Sequence, residues 1–395
     1  MELISGTITI NHILQHNNNW QRFYKKHYKL IRDAIPWNID KILNCRSGKL
    51  GFHKYQCPDC HHSITVPHSC KSRLCSSCGV LATNNWISSS LNDFLDVPYQ
   101  HLIFTIPSQI RSLILANRNL LLNMLFKSAS NTVLSWTKQN KSYIPGFIMV
   151  LHTFGADLKF NPHIHVLITC GGLSLDNSKW ISNFHFPHLA LKSIWRYQII
   201  NSLRTLFKKH SLSLPDKEIF SDYTSFNNFL NALYQKTWFV HLGKSLSDAS
   251  FTVRYIGRYT KRPVIAESRI TSYDGQYVQF YFKDKATNQT FYPKLTVEEF
   301  IAHLIRHIPD KYFRQIRYAG IFASRVKSSL TAIARNLLFQ LKKSNAKILS
   351  WRERRINFTG NDPLICPKCL KKMFLSVIAY ANKYGQLKII YCQPP

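Results

Sequence analysis

An α+β fold is predicted for this 395-residue chain: an antiparallel sheet flanked by helices, with ferredoxin- or RRM-like connectivity, behind an N-terminal zinc-ribbon-like module. Three observations predict it. Six cysteines crowd into residues 45–78, a strand–helix–strand–strand succession of patterns follows, and histidines alternate inside the last of those strands. With 45% hydrophobic and 13% aromatic residues the chain can bury at least one sizeable core.

Residues 1–44 read as a basic helical segment in which Trp20, Phe23, Tyr24, Tyr28 and Ile31 recur at helical spacing. Residues 45–95 read as the zinc-binding domain. Cys57 with Cys60, and Cys75 with Cys78, form CxxC pairs that together supply a tetrahedral thiolate site for structural Zn²⁺. Cys45, Cys70 and His53 are surplus to one ion and build a second site, and the spacing leaves the partition open. Four thiolates leave no open coordination position, so such a module binds DNA or protein and does not catalyse.

Residues 96–330 carry the predicted sheet domain. HLIFTIP is a strand closed by Pro107, and a long apolar-periodic helix follows it. Then come GFIMVLHTFG and NPHIHVLITCGG, two strand-like runs joined by a polar, turn-prone stretch that permits antiparallel pairing. His163 and His165 leave one face of their strand because side chains alternate with period two, which makes them candidate metal ligands, and His152 on the neighbouring strand can lie beside them as a third. Residues 186–213 read as a basic helix and KTWFVHLG as a further strand. In FTVRYIGRYTKRP, Tyr255 and Tyr259 share one helix face, with Arg254, Arg258, Lys261 and Arg262 around them as candidate DNA-binding cations. Residues 271–295 alternate as a hairpin turning at YDGQ or KDKATNQ, and a helix with a basic connector follows. The basic region 331–395 contains CPKC at Cys366 and Cys369, with Cys392 as a third thiol: half of a possible second zinc motif.

Lys and Arg total 52 against 20 Asp and Glu, a formal charge of +32 spread along the sequence, so the partner is a polyanion, nucleic acid before anionic membrane. No apolar run reaches the length of a bilayer span and no basic-then-apolar signal opens the chain, which points to the cytoplasm and the nucleoid, with no membrane partner. CxxC-paired cysteines fit that reducing compartment.

The ordered set SCKSRLCSSCG, HLIFTIP, LHTFGADLKFNPHIHVLITCGGL, YIGRYTKRP, LIRHIPDKYFRQIRYAGIF and CPKC resembles the two-tyrosine transposases of rolling-circle insertion sequences, which carry an N-terminal transposase zinc-binding domain. These are members of the HUH endonuclease superfamily, to which bacterial relaxases and rolling-circle replication initiators also belong. The resemblance covers almost the whole chain from about Cys45. It implies an HUH endonuclease domain in which His163 and His165, with His152 in the position of the relaxases' third histidine, hold Mg²⁺ or Mn²⁺, and Tyr255 and Tyr259 are nucleophiles. Glu267 departs from the family's small or polar residue at that place. The implied activity is nicking and rejoining of single-stranded DNA at mobile-element ends and target through a phosphotyrosine intermediate. Two other readings share the residues: a plasmid or phage replication initiator or relaxase, and a non-catalytic zinc-dependent DNA-binding protein.

Overall fold

The structure, a computed structural model, describes residues 8–72, 74–90, 93–215, 220, 222–246, 249–260, 263–284, 287–341, 349–382 and 385–392. Helices α1 (Ile10–Gln15), α2 (Asn19–His27) and α3 (Ala34–Leu43) precede strands β1 (Gly51–Gln56) and β2 (Ser63–Pro67) and helix α4 (Ser76–Ser90). The middle of the chain forms β3 (Tyr99–Phe104), α5 (Arg111–Ala116), α6 (Arg118–Lys141), β4 (Tyr143–Phe154), β5 (Phe160–Ser174), β6 (Trp180–Ser182), α7 (His188–Lys208), α8 (Tyr223–Ala232), β7 (Val240–Leu246) and α9 (Ala249–Thr260). Next come β8 (Ile270–Tyr273), β9 (Tyr277–Phe280), β10 (Phe282–Lys283), β11 (Thr290–Phe291), β12 (Lys294–Thr296), α10 (Val297–Ile305), β13 (Ile316–Gly320), α11 (Lys327–Leu337), α12 (Trp351–Thr359), β14 (Phe374–Ala381) and β15 (Leu387–Tyr391). Two compact units are each assembled from separated stretches, one from residues 1–88, 261–308 and 347–395, the other from 89–260 and 309–346.

The second unit is built on the antiparallel sheet β13-β4-β5-β3-β7, with β6 added to β5. Its strands and long helices follow in the order β3, α6, β4, β5, α7, β7, the ferredoxin-like connectivity. Alternation explains the layering. Leu102, Phe104, Met149, Leu151, Ile164 and Val166 all project to one face and enter a single core with Leu121, Leu125 and Ala129 of α6 and Trp195 and Ile199 of α7. The buried Trp195 indole donates to the Thr105 carbonyl at 2.6 Å, which fixes α7 beside the end of β3.

Three details differ from the sequence expectation. The helix after Pro107 is broken at Asn117, whose side-chain amide donates to the carbonyls of Leu113 and Ser213 and so competes with the helical ladder. The expected connector RQIRYAG contains β13, which pairs with β4. Residues 271–295 turn at both candidate places, between β8 and β9 and between β10 and β11.

In the first unit, β15-β14-β1-β2 form an antiparallel sheet. The basic N-terminal helices pack on the segment that follows α9 in sequence. Asn19, buried, donates from Nδ2 to the Tyr273 hydroxyl and to the Ile13 carbonyl, both at 2.8 Å. Glu267, the departure noted above, accepts from the Ile10 amide at 3.1 Å, so its carboxylate serves this packing.

Candidate metal and nucleophile site

The sheet face opposite the α6–α7 core carries the histidines. His152 on β4 lies directly across from His163 on β5, and His165 follows one pleat later, so all three rings leave the same face. One ligand nitrogen from each lies within 4.8 Å of the other two. The surrounding hydrogen bonds prepare the rings for an ion. His163 Nδ1 meets the Asn161 carbonyl at 2.7 Å and His165 Nδ1 meets His101 Nε2 at 2.9 Å, which directs the Nε2 lone pair of each ring inward. Phe154 stacks on His152 with centroids 5.3 Å apart and holds that ring's plane. Three convergent imidazoles with the remaining positions left to solvent or substrate are a donor set that fits a catalytic divalent ion.

Helix α9 brings Tyr255 to this face. Its hydroxyl lies 3.2 Å from His101 Nδ1, with the two rings edge to face, so Tyr255, His101 and His165 form one hydrogen-bonded line. The buried Val253 and Ile256 anchor the helix, while Arg254 is exposed. Tyr259 lies in the same helix; its side chain and that of Arg258 fall outside the described residues, as do Lys261 and Arg262 entirely.

Sequence reading missed His101. It stands at the start of β3, inside the HLIFTIP strand, and is almost fully buried. The signal was present: a histidine in a buried strand that pairs with the histidine strand, facing a glycine on the next. A Cβ on Gly243 of β7 would meet His101 Nδ1 at 2.5 Å, so glycine is what lets the ring sit there. Gly243→Ala is therefore expected to displace the His101 ring from Tyr255, with the sheet intact by circular dichroism. A His101 imidazole that keeps its wild-type NMR shifts would show that the glycine is not what seats the ring.

The cysteines fall into two groups of four, and the grouping corrects the expected one. Cys45, Cys70, Cys75 and Cys78 form one; Cys57 and Cys60 join Cys366 and Cys369 in the other, each set with its sulfurs within 4.8 Å. Cys57–Cys60 and Cys75–Cys78 thus do not share an ion, because β1 and β2 carry the first pair away toward β14. Hydrogen bonds among the thiols perturb them strongly: Cys75, then Cys78, push the Cys70 thiol well up, and Cys70 holds the Cys78 thiol well down. His53 stands in neither group. It packs edge-on to His68 with centroids 4.9 Å apart, and burial followed by the neighbouring His68 lowers its pKa. Cys392 is also outside both; its amide donates to the Ser376 carbonyl at the end of the β14–β15 pair.

Comparison with known proteins identifies the family and its zinc-binding domain. A family model described as "Putative transposase" matches residues 146–329, and one described as "Transposase zinc-binding domain" matches residues 15–106. Over 347 residues, 87% of this chain and 83% of the relative, the sequence is 30% identical to the transposase for insertion sequence element IS801 of Pseudomonas savastanoi pv. phaseolicola. The chain belongs to the insertion-sequence transposases. A second transposase relative, "Putative transposase y4qJ" of Sinorhizobium fredii, is 26% identical over 372 residues, 92% of this chain and 94% of that one. No solved structure matches this transposase. His152, His163, His165 and α9 lie in the segment matched by the first model, while His101 and six of the eight grouped cysteines lie in the segment matched by the second. Among the described residues no helix of the transposase is long and apolar enough to cross a membrane.

Proposed function

We propose that this transposase nicks and rejoins single-stranded DNA by tyrosine transesterification at the histidine face. The observation that carries the reading is the hydrogen-bonded line from Tyr255 through His101 to His165, beside His152 and His163. A divalent ion such as Mg²⁺ or Mn²⁺ on the three imidazoles supplies charge stabilisation to the scissile phosphate.

The protein's own protons follow from that donor set. With Nε2 of His165 turned to the ion, its Nδ1 carries hydrogen and donates to Nε2 of His101, so the His101 hydrogen sits on Nδ1 and points at the Tyr255 oxygen. His101 is then a donor to the phenolate and not a base for the phenol. Such a donor stabilises the charged form, the phenolate that attacks. The Tyr255 oxygen attacks phosphorus as its proton passes to water, the bond from phosphorus to the 3′ oxygen breaks, and that oxygen takes a proton from water. A 5′-phosphotyrosine and a free 3′-hydroxyl result. Covalent attachment conserves the phosphodiester's energy, so a second 3′-hydroxyl reverses the step on another strand without ATP. Tyr259, four residues on, is the second nucleophile.

His101→Phe tests the proton assignment. Loss of one hydrogen bond to a charged group is expected to slow nicking about 10- to 100-fold, and removing a donor that stabilises the phenolate should move the pH of half-maximal rate upward. A slower enzyme with an unmoved pH profile would return His101 to a packing role.

A polar cleft of about 440 Å³ is lined by Thr105, Gln109, Arg111, Asn161 and Lys236 among others. Asn161 stands on β5 two residues before His163, and Arg111 and Lys236 supply cations that a strand of phosphates would meet there. Lys236→Ala should weaken oligonucleotide binding and reduce the slope of log affinity against log salt by about 0.7, the value for one single-strand phosphate contact. The decisive experiment for the whole reading is incubation with single-stranded oligonucleotides from the flanks of the gene, with and without Mn²⁺. A metal-dependent covalent adduct mapping to Tyr255 or Tyr259 is expected; DNA binding with no adduct would leave a binding protein only.

A further inference from the structure

We propose that Cys57, Cys60, Cys366 and Cys369 bind a second structural Zn²⁺, one that clasps residues 366–391 onto the β1–β2 hairpin and completes the zinc-binding module from outside the N-terminal segment. The zinc-binding family model ends at residue 106, so two of these four ligands lie far beyond it. Their sulfurs are already drawn together: Cys57 and Cys369 are 3.2 Å apart, and Cys60 lies 3.5 Å from both Cys366 and Cys369. Sulfurs on a tetrahedral zinc at about 2.3 Å stand about 3.8 Å apart, so a shift of a few tenths of an ångström admits the ion.

The two cysteine pairs are built alike, which a chance meeting of thiols does not explain. In each, the first cysteine's amide donates to the carbonyl five residues on, Cys57 to His62 at 2.8 Å and Cys366 to Lys371 at 2.9 Å. In each, the residue four positions after the first cysteine takes the left-handed conformation, His61 at φ 58° and Leu370 at φ 60°. The Cys57 sulfur accepts from the amides of Asp59 and Cys60, and the Cys366 sulfur from those of Lys368 and Cys369. The Cys60 and Cys369 sulfurs each accept from the amide two residues later, of His62 and Lys371. Two matching knuckles that face each other and offer four sulfurs with amide donors behind them are a site for a soft, tetrahedral cation.

The sheet carries the same join. Strand β1 is flanked by β2 on one side and β14 on the other, paired with the latter from Gly51 opposite Tyr380 to Gln56 opposite Phe374 with one register shift between Lys54 and Tyr55. Gly51, at φ +104°, lies where a Cβ would meet the Ala379 carbonyl oxygen at 2.2 Å, so only glycine admits this approach. The metal sits at one end of that pairing and the glycine at the other.

Alkylation of the full-length, zinc-loaded protein followed by mass spectrometry tests occupancy. Cys60 is exposed and Cys369 half-exposed, so burial does not shield them; they should resist the reagent until a chelator is added, whereas Cys392 reacts in both states. Labelling of Cys60 and Cys369 at the Cys392 rate in zinc-loaded protein would overturn the proposal. Co²⁺ substitution gives an independent count, because thiolate-to-cobalt charge transfer excludes any contribution from the histidine site. Cys366→Ser should remove about half of that intensity, and Cys369→His should keep the metal with a shifted band. In Cys366→Ser, amides of residues 374–381 should exchange at least about tenfold faster, as strand pairing there loses its clasp, with Cys369→His restoring protection. Unchanged intensity or unchanged exchange in Cys366→Ser would refute the site or its clasping role respectively.

Discussion

Replacing His165 by alanine is expected to slow single-strand nicking by at least about a hundredfold at saturating Mn²⁺, beyond the 10- to 100-fold scale seen for losing a ligand's supporting partner. The residue carries two tasks. In the proposed function it offers Nε2 to the ion, and through its 2.9 Å contact from Nδ1 to His101 it sets the tautomer of the ring that meets Tyr255. Affinity for the same oligonucleotide and its salt dependence should stay nearly as they were, because Lys and Arg contacts to phosphate supply most of that free energy. His165 projects from the face opposite the α6–α7 core, so its truncation leaves the packing of Ile164 and Val166 in place. Loss of DNA binding in step with nicking would mark a structural role, and full activity at low Mn²⁺ would remove His165 from the site.

The largest effect is expected from the double substitution Tyr255→Phe with Tyr259→Phe. Loss of a covalent nucleophile with its partners left standing costs on the order of 10⁶ in rate where such residues act as a unit. Adduct formation should fall below detection while DNA binding persists, since only two hydroxyls are removed. The single variants separate the two tyrosines. Each should retain some nicking, because the proposed function makes both tyrosines nucleophiles, but neither should complete a transposition that needs two covalent links in succession. Peptide mapping of the adduct reads the outcome directly. Attachment at one tyrosine alone, with the other Phe variant fully competent in transposition, would reduce the chemistry to one nucleophile.

Local pattern was legible in the sequence where one element decides its own structure. Alternation along LHTFG and PHIHVLITC is enough to put His152, His163 and His165 on one sheet face, since period two is a property of any strand. The ferredoxin-like order followed from the succession of patterns because short connections and chain order leave few alternatives. Partners separated by long stretches of chain were not legible. The four-cysteine groups depend on which strands pair, and no spacing rule links Cys57 to a thiol more than three hundred residues away. His101 escaped for a related reason: its signal is the pairing of its strand with the histidine strand and the glycine on the strand beyond, and those neighbours follow only from the fold.

The pairing of β1 with β14 sets a schedule for synthesis. Strand β1 leaves the ribosome early, yet one of its two neighbours is encoded some three hundred codons later, a separation of 312 residues between Cys57 and Cys369. At bacterial elongation rates that interval lasts roughly 15 to 60 s. Through it, β1 has β2 alone for company and its outer edge is open. A chain cut short by a nonsense codon or a frameshift before residue 366 never closes that sheet, so a decaying copy of the gene yields a protein whose N-terminal module lacks its last strands even though every N-terminal cysteine is intact.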